Sequence, residues 1–155
     1  MKYAVIDATY GALALHDDEP DWDALVGPEG KDQVRLPYEL GMAGWVNGCG
    51  HIHPVLPRNI VGSCLLFAMG ARFQPQAGPV VLTGWDPDSD GSEICSLNLP
   101  PYSLPSLHQR VRQAIDGTDT PYTLADRQWA ETIRGIARGA RYAARPSLIV
   151  RTAVA

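Results

Sequence analysis

Nowhere in these 155 residues does an unbroken apolar stretch approach the ~20 residues that a bilayer-spanning helix needs. The opening MKYAVIDATYG carries a basic residue at Lys2, but its apolar run stops at Asp7, so no cleavable secretion signal is expected. Cysteine is scarce. Three of them, an odd number at irregular spacing, do not make a disulfide framework, and a reducing, cytoplasmic setting is expected instead. The familiar catalytic signatures are missing too: no phosphate loop ending in Gly-Lys-Ser/Thr, no GxGxxG between a strand and a helix, no GxSxG and no HExxH. Those absences exclude the common motif-bearing enzymes and leave convergent catalysts open. Internal repeats and low-complexity segments are also lacking.

What is there reads as one globular domain over residues 1–155. The hydrophobic fraction of 45% is enough for a buried core, and 15 Gly with 13 Pro predict many turns between short elements. Charge is unevenly spread. Residues 1–99 hold 13 acidic against 5 basic side chains, a balance of −8, whereas residues 100–155 hold 4 acidic side chains against 8 arginines, a balance of +4. Such asymmetry either steers a partner or lies across two ordinary surfaces of one fold.

The pattern of elements predicts an α+β fold: a small mixed or antiparallel sheet, a buried central helix and a longer amphipathic C-terminal helix. Residues 2–7 and 12–16 form an N-terminal hairpin, although Thr9-Tyr10-Gly11 is not a favoured two-residue turn. Asp21 caps a short helix over 22–26, and 34–36 is a brief strand. Two short strands flank Asn47-Gly48. Asn59 caps a helix over about 60–70 that is apolar on every face and therefore buried. Residues 79–83, PVVLT, read as a fully buried strand, so Leu65, Leu66, Phe67, Val80, Val81 and Leu82 should form the core. Further strands are expected at 93–97 and 147–154, with helices over 106–115 behind Pro105 and over about 124–143 behind Thr123.

Three clusters carry candidate chemistry. In the first, an extended 49–53 segment would turn Cys49, His51 and His53 to one face, and Cys64 would complete a thiolate–imidazole set suited to zinc. Cys49 assisted by His51 is also a candidate nucleophile. The spacing matches no known zinc finger, and Cys64 in an apolar helix reads equally well as core. In the second, Asp86, Asp88, Asp90 and Gly91 resemble the first half of a calcium loop, but Leu97 stands where the closing glutamate belongs. In the third, Arg127, Arg134, Arg138, Arg141 and Arg145 fall on one stripe of the C-terminal helix, about 60° wide, with Trp129, Ile133, Ile136 and Ala140 expected opposite. Guanidinium groups in a row suit phosphate or carboxylate recognition, and every amphipathic helix also needs a polar face.

GWVNGCG, the PRN that opens an apolar helix, and GPVVLTG lie in order between residues 41 and 85. This block resembles a family of uncharacterised proteins, domain of unknown function 3846, found in phages and in actinobacterial plasmids and chromosomes. Ile60 follows Asn59 where the family pattern has proline. The resemblance implies a small α+β protein of mobile-element background and supplies no activity and no catalytic residues. The expected function is an interaction protein that contacts protein or nucleic acid through the arginine-striped helix. The alternative is a small metal-binding protein or enzyme built on the Cys/His cluster.

Overall fold

A computed structural model of the chain describes residues 1–50, 55–86 and 96–142. Its strands are β1 (Lys2–Ile6), β2 (Leu13–Asp17), β3 (Lys31–Arg35), β4 (Met42–Asn47), β5 (Val80–Trp85) and β6 (Ser96–Leu97). Its helices are α1 (Trp22–Val26), α2 (Ile60–Ala68), α3 (Leu104–Asp116) and α4 (Leu124–Tyr142). The sheet runs β2-β1-β5-β4-β3, and every neighbouring pair is antiparallel. The two-residue β6 pairs with β5 at Gly84 and Trp85, beyond the stretch of β5 that β1 occupies. The fold is α+β. No helix among the described residues is long and apolar enough to cross a membrane.

Period-two alternation assigns the strand side chains to two unequal cores. Ala4, Ile6, Met42, Val46, Val80 and Leu82 face α2, α3 and α4. Tyr3, Ala43, Trp45 and Val81 face the other way, where α1 closes a smaller core with Val26. β4 is buried on both sides, so all six of its residues are apolar, small or hydrogen-bonded. Gly44 makes room at its centre: a Cβ there would stand 2.9 Å from Leu66 Cδ2, and without one α2 rests directly on the strand. On the other face the Lys31 ammonium lies 3.7 Å over the Trp22 ring and 4.8 Å over that of Trp45, drawing α1 onto β3 and β4.

α2 is the central helix its composition predicts, with Cys64, Leu65 and Leu66 buried. Phe67 departs from the expected core: it is partly buried and packs against the margin of the cluster. Asn59 caps α2 by accepting from Gly62 N at 2.8 Å, and its amide nitrogen donates to Ile6 O at 3.0 Å and Gly78 O at 2.9 Å. Ser63 extends the junction, donating to Asn59 O at 2.6 Å and accepting from Gln76 N at 2.9 Å.

Several boundaries differ from the sequence expectation for local reasons. β3 is longer than the expected 34–36, because from Lys31 to Arg35 it pairs with β4 from Asn47 back to Ala43. α3 begins at Leu104, so that Pro105 sits inside its first turn, where a missing N–H leaves no helical bond unmade. After β4 the chain turns, with Cys49 N donating to Asn47 Oδ1 at 2.8 Å and Gly50 N to Asn47 O at 3.1 Å. The strand expected beyond that turn falls largely on residues 51–54, outside the described residues. The start of the strand expected at 93–97 and the whole of the one at 147–154 also lie outside them.

The hairpin connection that no two-residue turn could explain spans Asp7 to Ala12. The Asp7 carboxylate closes it, accepting from Tyr10 N at 2.6 Å and Ala12 N at 2.8 Å. Gly11 takes a left-handed φ of +65°, where a side chain would be strained and would also run into Val61 of α2. The buried His108 of α3 donates from its ring N–H to Gly11 O at 2.6 Å, so both helices anchor on this turn.

Burial alone would raise the Asp7 carboxyl, but the N–H groups of Tyr10, Ala12, Thr9 and Gly11 outweigh it and hold the group below the usual carboxylate range. A carboxylate held low in the folded state contributes its full stability above its unfolded value and loses it as pH falls through the folded value. Asp7→Asn should therefore be less stable than wild type by about 1–2 kcal/mol at neutral pH. That difference should shrink as pH is lowered from about 5 towards 2. Urea denaturation across that range checks this; a difference independent of pH would contradict it.

Candidate functional site

α4 is set by its ends and by its buried seam. Thr123 and Asp126 form a reciprocal cap: Asp126 N donates to Thr123 Oγ1 at 3.1 Å, and Thr123 N and Oγ1 donate to Asp126 Oδ2 at 3.2 and 2.9 Å. Ala130, Ile133, Ala137 and Ala140 recur at steps of three and four and are buried against α2 and α3. Four of the five predicted arginines lie on the described helix; Arg145 lies outside the described residues. At about 100° per residue, Arg127, Arg134, Arg138 and Arg141 form a stripe roughly 90° round the helix from that seam. They flank the core where the sequence pattern predicts the opposite face.

The sideways placement gives the arginines different work. Arg134 reaches back to α3, where its Nη1 donates to Ala114 O at 3.1 Å and to Asp119 Oδ1 at 2.8 Å. Its charge meets the carbonyl end of α3, whose last turn is closed by a left-handed Gly117. Arg127, Arg138 and Arg141 are exposed, and none forms an ion pair among the described residues. Arg110, which no sequence pattern singles out, pairs with Asp126 at 3.0 Å and lies 4.0 Å over the Trp129 ring. Only the fold brings it to α4, 16 residues away. Beside these pairs the α3–α4 connection shapes a hollow of about 210 Å³, with Tyr122 on its wall 92% exposed.

Of the proposed zinc ligands, His51 and His53 lie outside the described residues. Cys49 is half-buried in the turn after β4. Cys64 points from α2 towards α4, with its Sγ 3.9 Å from Ile133 O. Burial pushes this thiol up to about 12, against a smaller opposing pull from the Arg141 guanidinium, so at neutral pH it is an uncharged core group. Among the described residues no three His, Cys, Asp or Glu side chains gather as a metal site would require. Of the carboxylates in the calcium-type loop, Asp86 is described and is exposed; Asp88, Asp90 and the following Gly91 lie outside the described residues.

Arg134→Ala should cost about 1–3 kcal/mol, because it strands a half-buried carboxylate and a helix-terminal carbonyl. Arg127→Ala and Arg138→Ala should each change stability by no more than about 0.5 kcal/mol. Urea denaturation measures all three, and equal losses would contradict the division of roles. The chain matches no protein-family model, no curated protein and no solved structure.

Proposed function

We propose that the chain is a small interaction protein, of the mobile-element type implied by the resemblance over residues 41–85, which contacts a nucleic-acid backbone through α4. One observation carries this reading: Arg127, Arg138 and Arg141 stand exposed in one row without acidic partners among the described residues, although the chain is acidic overall. Arg127 and Arg141 are separated by 14 residues, about 21 Å along a helix, a span that covers several phosphates of a nucleic-acid strand. Planar guanidinium groups suit phosphate oxygens better than ammonium groups do. The exposed Tyr122 beside the start of α4 adds an aromatic face on which an unpaired base can stack.

Fluorescence anisotropy with labelled duplex and single-stranded oligonucleotides tests it. Wild type should bind at about 50 mM salt with little sequence preference, and affinity should fall by nearly one power of salt concentration per phosphate neutralised. Replacing Arg127, Arg138 and Arg141 together by Ala should flatten that slope by about 2–3 units while leaving the fold intact, since Arg134 is retained. Absence of binding to either form at low salt, or a slope the triple variant does not change, would overturn the proposal.

A further inference from the structure

A second site lies away from the arginine row, where β1 begins and β2 ends. Leu99 N donates to Lys2 O at 2.9 Å and Lys2 N donates to Asn98 Oδ1 at 2.7 Å, so the segment leading into α3 is pinned beside the first strand. Between that segment and the helix-facing side of the sheet is a cleft of about 530 Å³, the size of many small-ligand sites. Met42 and Leu104, both buried, form its floor, and Leu15, Leu99 and Tyr102 form apolar walls. Leu15 is 63% exposed, an apolar side chain left uncovered on an edge strand.

The rim is charged with both signs. Lys2 and Asp17 are register partners across β1 and β2, so their side chains leave the sheet on the same face as Leu15. Both are exposed, both line the cleft, and neither forms an ion pair among the described residues. A purely anionic ligand would gain from Lys2 and be repelled by Asp17, and a purely cationic ligand would meet the reverse. A ligand with both charges close together satisfies both.

We propose that this cleft binds a small zwitterion with an apolar side group, of the aromatic α-amino acid type. Its carboxylate meets the Lys2 ammonium and its ammonium meets the Asp17 carboxylate. The side group fills the space between Leu15, Leu99 and Tyr102 above Met42 and Leu104.

The test is a titration of the isotope-labelled full chain with L-phenylalanine, followed by amide chemical shifts. Saturable shifts should centre on Lys2, Leu15 to Asp17, Leu99, Tyr102 and Leu104, with a dissociation constant between about 10 μM and 1 mM. L-phenylalanine amide lacks the carboxylate, N-acetyl-L-phenylalanine lacks the ammonium and glycine lacks the side group. Each should bind at least about tenfold more weakly. Lys2→Met should abolish the preference for the free carboxylate, and Asp17→Asn the preference for the free amine; spectra away from the cleft report that both variants fold. The proposal is overturned by no saturable shift at about 10 mM ligand. It is equally overturned by indistinguishable responses to the four compounds, or by shifts scattered away from the cleft.

Discussion

The carboxamide of Asn59 is the point at which the sheet and the helical layer are forced to agree. It is 1% exposed, and its two ends work in opposite senses. The oxygen caps α2 through Gly62 N, and the nitrogen holds the carbonyls of Ile6, where β1 ends, and Gly78, just before β5. No other side-chain type supplies an acceptor and two donors at this length, apart from the longer glutamine. With the start of α2 placed, Leu66 settles over Gly44 and Val61 over Gly11. α3 and α4 then pack on α2, and both candidate surfaces take their positions from those two helices and the strands beneath.

Electrostatics divides the arginines in a way that net charge does not show. Asp119 and Asp126, two of the few acidic residues in the C-terminal half, are engaged by Arg134 and Arg110 within that same half. These contacts brace the α3–α4 corner and do nothing to neutralise the contrast between the acidic and basic parts of the chain. Arg127, Arg138 and Arg141 of α4 are left exposed and in no ion pair among the described residues. The Lys2–Asp17 rim is a different arrangement: opposite charges placed across a strand pair and left apart, beside apolar surface that nothing in the described chain covers.

How much of this the sequence discloses follows from the range of each interaction. α2 is legible because nearly all its residues are apolar and its cap stands directly before it; α4 is legible because its apolar steps of three and four persist for 19 residues. The second role of Asn59 is not, since its partners lie 53 residues before and 19 after it. Arg134 reads as one more member of a stripe until α3 is placed beside it. The half-burial of Phe67 depends on how far neighbouring helices extend over α2, which no local pattern encodes. The cleft is least visible of all, being assembled from residues near 2, 15, 42 and 100 that share no motif. Cys64 shows the opposite hazard: a thiol directly before Leu65 and Leu66 reads as a ligand or as core, and its burial places it in the core.

Measuring the stability of Asn59→Ala and Asn59→Asp at neutral pH separates a helix cap from a cross-link between layers. Aspartate keeps the acceptor for Gly62 N and removes both donors, leaving a buried carboxylate against two carbonyls. If the carboxamide couples sheet to helix, both variants should lose about 2–4 kcal/mol, with aspartate no better than alanine. An aspartate variant within about 0.5 kcal/mol of wild type would show that capping alone matters, and would contradict the account.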